Sequence, residues 1–178
     1  MGKIRIIGGE HRSRQLPVLD ADGLRPTLDR VKETLFNWLG QDLTGQHCLD
    51  LFAGSGSLGF EAISRNAQSV TMVEKSSPVA QQLISNSKLL RAENCQIINL
   101  AAEKFLNKNS SKFDVIFLDP PYSSDLLEQS LQKITTHLAV DGLIYIEYHQ
   151  NKPDLSQFNI LKHSQAGSVN YALLSLKE

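Results

Sequence analysis

The chain has few cysteines, no long apolar run and almost no net charge, and each shortage argues against a class of protein. Cys48 and Cys95 are too few and too far apart for a disulfide framework, so buried free thiols are expected. The five histidines show no ligand spacing, and no metal site is predicted. No apolar run approaches the roughly 18 to 20 residues that span a bilayer, and the N-terminus lacks a hydrophobic signal region. These shortages predict a cytoplasmic protein.

The length of 178 residues predicts a single domain, residues 1–178, that can bury a normal core without metal or disulfide support. Nothing in the sequence demands more than a monomer. We expect a basic N-terminal extension over residues 1–24 and a core over residues 25–178.

The net charge of −1 conceals a basic N-terminus. Residues 1–16 carry Lys3, Arg5, Arg12 and Arg14 against the single acid Glu10. Apolar and polar residues alternate on both sides of a Gly-Gly pair, which predicts a small β-hairpin with cationic side chains. These four side chains are candidates for RNA phosphate contacts. The alternative is a solvated hairpin whose charges prevent edge-to-edge aggregation.

Helical and strand patterns alternate along the rest of the chain. Apolar spacing predicts a helix over 28–39, with Thr27 as its N-cap and Gly40 as its end. The following pattern predicts strands at 47–51, 69–73, 95–100, 113–118 and 143–146, and helices at 57–65, 78–90, 102–107 and 125–138, the second capped by Ser77. Two further strand-like runs, 158–161 and 169–174, flank Gly167-Ser168. We therefore predict a doubly wound, Rossmann-like α/β fold, mainly parallel, with an antiparallel C-terminal edge.

A glycine-rich loop follows the first of these strands. Gly54, Gly56 and Gly59 fit G-x-G-x-x-G between a strand and a helix, a turn that lets a nucleotide-like ligand approach the backbone. Glu74 ends the next strand, twenty residues after Gly54, where an acid binds ribose hydroxyls. The loop alone suits NAD equally well. Asp50, four residues before the first glycine, favours S-adenosylmethionine, because its carboxylate can face the amino-acid end of that cofactor.

Asp119-Pro120-Pro121-Tyr122 follows the apolar strand 113–118 and is suited to holding a flat aromatic amine. Asp119 and the carbonyl of Pro120 can accept the two N–H groups, the consecutive prolines stiffen the turn, and Tyr122 can stack on the base. The alternative is an ordinary proline-containing loop. Because the strands before this turn and before the glycine loop are neighbours at the switch point of such a sheet, we expect both motifs to share one cleft.

Together these motifs resemble class I S-adenosylmethionine-dependent methyltransferases, and more narrowly the RsmD family of 16S rRNA guanine-N2 methyltransferases. The narrower resemblance depends on Arg5 to Gly9, Leu24 to Thr27 and the first helix. It implies that the cofactor is held by Arg25, Thr27, Asp50, Phe52, Ala53, Gly54, Ser55, Gly56, Glu74 and Ala102, and the target guanine by Asp119, Pro120, Pro121 and Tyr122. One departure is Ala101, which cannot accept the hydrogen bond from the adenine amine that an Asp or Asn accepts in many relatives.

The resemblance implies methyl transfer to guanine N2 in 16S rRNA, within a small ribosomal subunit or its assembly intermediate. Adenine-N6 methylation of DNA or RNA stays open, because the proline motif suits that amine equally. A non-catalytic RNA-binding or assembly factor is the alternative of another class, although intact Asp50 and Asp119 argue against it. An NAD-linked oxidoreductase would use the glycine loop and leave the proline motif without a role.

Overall fold

A computed structural model describes residues 2–20, 27–122 and 125–178. Within these three stretches, no helix combines the length and the apolarity needed to cross a membrane. The chain begins with β1 (Gly2–Arg5) and β2 (Gln15–Val18), which pair antiparallel with Ile4 opposite Leu16. The predicted two-stranded extension is therefore confirmed.

The first helix, α1, runs over Asp29–Trp38, close to the predicted bounds. Its N-cap is Leu28, whose backbone is extended, and no side chain caps the helix. The prediction that Thr27 is the cap was wrong because the chain turns into the helix one residue later. The end was predicted correctly, since Gly40 follows the C-cap Leu39 with a φ of 90°.

The predicted alternation of strands and helices is confirmed over the core. The strands are β3 (His47–Asp50), β4 (Ser69–Val73), β5 (Cys95–Ile98), β6 (Phe113–Leu118), β7 (Leu138–Tyr148), β8 (Phe158–Ala166) and β9 (Val169–Leu176). The helices are α2 (Ser57–Ser64), α3 (Ser77–Leu89), α4 (Ala102–Lys108) and α5 (Leu126–Lys133), with a 3₁₀ turn over Ile134–His137.

Several boundaries differ from the sequence prediction. Helix 125–138 is a shorter α-helix continued by the 3₁₀ turn, and the strand predicted at 143–146 starts at Leu138 and bends past Asp141, whose φ is 60°. Helix α3 begins at Ser77 rather than after it, so its N-cap is Ser76. In each case the apolar spacing was interpreted correctly, but the local turn chemistry shifted the ends.

Among the described residues, seven strands form one sheet in the order β5-β4-β3-β6-β7-β9-β8. The first five are parallel, and β9 pairs antiparallel with both β7 and β8. Strands β3 and β6 are neighbours, with Asp50 opposite Phe117. The predicted doubly wound sheet, its antiparallel C-terminal edge and its switch point between β3 and β6 are therefore confirmed.

Each face of the sheet has its own apolar core. Along β6, Val115 and Phe117 pack with residues of α1, α2 and α3, whereas Ile116 and Leu118 pack with residues of α4 and α5. The inner residues of the hairpin belong to the first of these clusters. Both faces are covered, which explains why β6 is a continuous apolar run rather than an alternating one.

The two cysteines are free thiols, as predicted. Cys48 is buried but Cys95 is only half-buried, which corrects the expectation for the second. Burial raises the pKa of both thiols to about 12, so neither is a reactive thiolate at neutral pH.

Candidate active site

A cavity of about 350 Å³ opens at the carboxyl ends of the parallel strands. Loops after β3, β4, β5 and β6 all contribute to its wall. Its lining includes Thr27, Asp50, Phe52, Ala53, Gly54, Ser55, Ser57, Glu74, Ala101, Ala102, Asp119, Pro120 and Pro121. The cleft that the order of the motifs predicted is therefore present, and residues of the glycine loop and of the proline turn share it.

The glycine loop has a backbone shape that few other residues would allow. Gly56, the N-cap of α2, has a φ of 81°, and a Cβ atom there would lie 2.5 Å from the ring of Phe60 and 2.7 Å from Leu83. The loop is also held to the next strand, because the Ala53 N–H donates to the Val73 carbonyl at 2.9 Å. Gly56 therefore shapes the turn directly after the lining residues Ala53, Gly54 and Ser55, but it is not itself among the residues that line the cavity, although it was predicted to bind the cofactor.

Glu74 fixes this loop from the end of β4. Its Oε2 accepts a hydrogen bond from the Gly54 N–H at 3.0 Å, and its Oε1 accepts one from the Ser76 N–H at 3.0 Å. The carboxylate still borders the cavity, and each oxygen retains a second lone pair. Glu74 therefore joins the glycine loop to the start of α3, a contact that sequence reasoning did not predict.

Asp50 lies fully buried at the floor of the cleft. Its Oδ2 accepts a hydrogen bond from the Gly59 N–H at 3.0 Å. Burial raises the pKa of the carboxyl to about 7; the Gly59 hydrogen bond opposes this shift, and the carboxylates of Glu74 and Glu147 add to it. A carboxyl in this state ionises readily when a cation approaches, which is the property that an ammonium-binding group needs.

The proline turn leaves β6 and divides its residues between two environments. Asp119, Pro120 and Pro121 line the cavity, but Tyr122 does not. The Tyr122 ring instead stacks on His149, with ring centroids 4.9 Å apart and planes inclined by 7°. His149 follows β7, the next strand of the sheet, so two neighbouring strand ends carry one stacked aromatic pair beside the cavity.

The cavity also contains a polar atom that has no hydrogen-bond partner within the described part of the chain. This is the buried hydroxyl of Ser57, in the first turn of α2. An unsatisfied buried hydroxyl is costly, so it points to a ligand or a water that completes it. The donor, the carboxylates of Asp50 and Glu74 and the apolar walls together fit an adenosyl amino acid. Arg25, which was also predicted to bind the cofactor, lies outside the described residues.

Comparison with known proteins identifies the family. The model of the family described as conserved hypothetical protein 95 matches residues 4–175. The chain is 47% identical to ribosomal RNA small subunit methyltransferase D of Haemophilus influenzae, over 97% of this chain and 93% of that one. It is 44% identical to the protein of the same name from Escherichia coli K12, over 97% and 89%. The solved structure of Escherichia coli yhhF matches with a TM-score of 0.89 and 42% identity, covering 99% of both chains.

The chain belongs to the RsmD family. This membership confirms the methyltransferase class and its cofactor, S-adenosylmethionine, as well as the Rossmann-like fold. The geometry of the cleft supports the predicted roles of Asp50, Glu74 and Asp119 in this RsmD family member.

Sequence reasoning missed four residues near the cleft. Ser57 and His149 were not singled out, and neither was the buried pair in which the Tyr145 hydroxyl donates to Glu147 Oε1 at 2.5 Å. Burial, together with the neighbouring Glu147 carboxylate, raises the pKa of Tyr145 well above its usual value. Their position in the sequence could have indicated them, since Glu147 and His149 lie at the carboxyl end of β7, beside the end of β6.

The predicted RNA-binding residues are not gathered at the cleft. Lys3 and Arg5 are exposed on β1, where Arg5 Nη2 lies 2.6 Å from Asp29 Oδ2. Arg12 and Arg14 lie past the glycine pair, and Arg14 Nη2 donates to the Leu89 carbonyl at 3.3 Å. Leu89 ends α3, near the amino-terminal ends of the strands, whereas the cleft lies at their carboxyl ends. The basic residues therefore follow the hairpin away from the candidate active site.

Proposed function

We propose that the protein transfers the methyl group of S-adenosylmethionine to the exocyclic N2 of a guanine in 16S rRNA, in a small ribosomal subunit or its assembly intermediate. One observation supports this most strongly: the glycine loop after β3 and the Asp119–Pro121 turn after β6 line the same cavity. The chain's relatives are named for small-subunit rRNA methylation, which supports the substrate.

The cofactor would lie along the glycine loop. Asp50 would face its ammonium group, Glu74 would accept hydrogen bonds from its ribose hydroxyls, and the Ser57 hydroxyl would donate to it. Phe52, Ala53, Ser55 and Ala102 would flank it, together with Thr27. When bound, this cofactor supplies a methyl group made electrophilic by a positively charged sulfur. Ala101 offers no side-chain acceptor to the adenine amine, so that contact would cost about 1 kcal/mol of affinity if nothing replaces it.

Asp119 and the Pro120 carbonyl would hold the amine of the target base. With both N–H groups accepted, the nitrogen lone pair is directed toward the cofactor end of the cavity, which is the orientation that alkylation of a weakly nucleophilic amine requires. The amine loses one proton as the new N–C bond forms, and Asp119 accepts that proton or passes it to water.

Tyr122 would stack on the base after the base leaves its pairing partner. Its ring is already held in one plane by His149, so part of the orientation is present before RNA binds. All of these groups come from one chain, and we propose that the enzyme works as a monomer in the cytoplasm.

The proposal is tested by incubating the protein with methyl-labelled S-adenosylmethionine and unmodified small ribosomal subunits, and then identifying labelled nucleosides by mass spectrometry. The expected product is N2-methylguanosine. Labelled N6-methyladenosine would overturn the choice of base. No labelled nucleoside, with cofactor binding verified by titration, would overturn catalysis and favour an RNA-binding assembly factor.

A further inference from the structure

A second cavity, of about 680 Å³, lies at the amino-terminal ends of the parallel strands, on the opposite side of the molecule from the catalytic cleft. Its walls are the C-terminal ends of α2 and α3 and the connection to β5, together with the hairpin turn. The catalytic cleft lies at the carboxyl ends of these strands, so the length of the strands separates the two cavities. It is lined by Glu10, His11, Arg14, Ile63, Asn66, Leu89, Leu90, Arg91, Ala92 and Asn94.

Two arginines from distant parts of the sequence meet at this cavity. Arg14 comes from the hairpin and is held by the Leu89 carbonyl at 3.3 Å, so its guanidinium is oriented before any ligand binds. Arg91 follows α3, and its side chain is exposed. Glu10 is the one carboxylate of the lining, and its Oε2 lies 3.9 Å from His11 Nε2. Two guanidinium groups facing a polar cavity are suited to an oxyanion.

The backbone at Arg91 gives an independent reason to expect a function there. Helices α1, α2 and α3 are each followed, after the C-cap, by a residue in the left-handed region: Gly40 with φ 90°, Asn66 with φ 72° and Arg91 with φ 53°. Glycine and asparagine adopt this conformation readily, but arginine adopts it only at a cost. The chain therefore carries a long cationic side chain where local structure favours glycine.

Helix α3 connects this cavity to the cleft. Ser76 and Val79, at its start, line the cleft, whereas Leu89 and Arg91, at its end, line the second cavity. A helix of 13 residues is about 20 Å long, roughly the length of half a dozen stacked nucleotides. The hairpin runs alongside, since Asn86 Nδ2 of α3 donates to the Pro17 carbonyl at 2.9 Å.

We propose that Arg14 and Arg91 bind a backbone phosphate of the same RNA whose guanine enters the catalytic cleft. This inference rests on the proposed function and extends it, because it assigns a second contact point at the far end of α3, about 20 Å from the start of that helix at the cleft. A phosphodiester has the charge and the oxygen geometry that two guanidinium groups recognise. The RNA would then follow α3 and the outer face of the hairpin, so the enzyme recognises an extended or folded RNA rather than the target nucleotide alone.

The test is the variant Arg91→Gly, which removes the cation and the backbone strain together. We expect the melting temperature to stay equal or rise, while the affinity for 16S rRNA falls about three- to tenfold and the slope of log K against log salt decreases in magnitude by about 0.7 to 0.9. Cofactor affinity should not change. Arg14→Ala should show the same effect on RNA binding. Lys112→Ala is the matched control, because Lys112 is an exposed cation just before β6, also at the amino-terminal ends of the strands but on the α4 side of the sheet.

The two proposals fail in different ways. If the wild-type protein forms no labelled methylguanosine, the proposed function fails; if it does so and both arginine variants bind 16S rRNA with unchanged affinity and salt slope, only the second contact point is overturned. An effect on binding to small subunits without any effect on naked 16S rRNA would also overturn it, because the partner at this cavity would then be a ribosomal protein.

Discussion

Three carboxylates at neighbouring strand ends hold different positions in the cleft, and their surroundings distinguish them. Asp50 is fully buried, Glu74 is engaged by two backbone N–H groups, and Asp119 stands on the proline turn. The proposed function assigns a different task to each carboxylate: Asp50 would bind a cation, Glu74 would hold the glycine loop and the ribose, and Asp119 would accept a proton from an amine.

Replacing Asp119 with Ala separates catalysis from cofactor binding. We expect kcat to fall by about 10²- to 10⁴-fold, because the variant loses both an acceptor for the amine and the group that takes its proton. Cofactor affinity, measured by calorimetric titration, should stay nearly constant. A large loss of cofactor affinity in this variant would contradict the assignment of Asp119 to the base.

Asp50 should make cofactor affinity depend on pH. Its pKa of about 7 means that the free protein is mostly protonated at this site below neutral pH and mostly ionised above it. Because an ammonium group favours the ionised form, affinity should rise about tenfold between about pH 6 and about pH 8. The isosteric Asp50→Asn variant should bind more weakly and without this rise. An equally steep rise in the variant would assign the titration to another group.

At the residue scale, sequence motifs predicted the positions of those residues that belong to one local strand-turn-helix pattern. Asp50, Gly56 and Glu74 could be predicted because the strand-turn-helix spacing fixes where each lies. His149 could not, since its contact with Tyr122 depends on which strand lies beside β6. The hydrogen bonds that Glu74 accepts from Gly54 and Ser76 could not be predicted either, because a backbone N–H carries no signature in the sequence.

At the scale of elements, the turn from β3 into α2 forms one wall of the cleft. Replacing Gly56 with Ala forces a left-handed alanine and a contact with Phe60, whereas Gly40→Ala imposes the same conformation in open space. We expect Gly40→Ala to cost about 1 to 2 kcal/mol of unfolding free energy and Gly56→Ala to cost more and to weaken cofactor binding. Chemical denaturation and titration measure both. Equal costs at the two positions would refute a packing constraint at Gly56.

Helix α2 also holds the N-terminal hairpin against the core, through the buried side chain of Glu61. Its carboxylate accepts hydrogen bonds from the backbone N–H groups of Ile7 and Gly8 at 3.0 and 3.1 Å, and from Arg65 Nε at 3.0 Å. Lys32 Nζ lies 3.5 Å from Glu61 Oε1 and donates to the Arg5 carbonyl at 2.5 Å. Burial lowers the pKa of Lys32, although Glu61 opposes that shift. The hairpin is thus joined to the helix whose first turn borders the cofactor cavity.

Removing this carboxylate should loosen the hairpin. Glu61→Ala leaves two buried cations without a counter-charge, and we expect it to lower the free energy of unfolding by about 3 to 5 kcal/mol in urea denaturation. The double variant Glu61→Gln with Lys32→Met removes the charges of Glu61 and Lys32 and leaves only the Arg65 cation without its partner, so it should recover part of that loss. If Glu61→Ala unfolds at the wild-type urea concentration, the network is not what holds the hairpin.

At the scale of the whole molecule, the sequence predicted the layered α/β architecture better than the order of the last strands and the ends of the helices. The apolar run of β6 and the regular alternation of elements were sufficient for the doubly wound sheet, because both follow from backbone geometry and burial. The insertion of β9 between β7 and β8 followed less directly, since only a tight turn at Gly167 indicated pairing. Helix ends were shifted where Leu28 and Ser76, rather than the expected residues, begin the turn.

The charge distribution could be interpreted only from the folded molecule. The sequence identifies a basic N-terminus, and the fold places it on the hairpin, where Arg14 lies at the second cavity and not at the cleft. Arg91, distant in sequence from that N-terminus, joins Arg14 at the second cavity.

The central claim is that one cleft holds both the cofactor and the target base, and a crystal structure with S-adenosylhomocysteine tests it most directly. The account predicts the ligand in the cavity between the glycine loop and the proline turn, with its amino-acid end at Asp50, its ribose hydroxyls at Glu74 and its sulfur directed toward Asp119. A ligand bound elsewhere, or bound with its sulfur directed away from Asp119, would contradict the account.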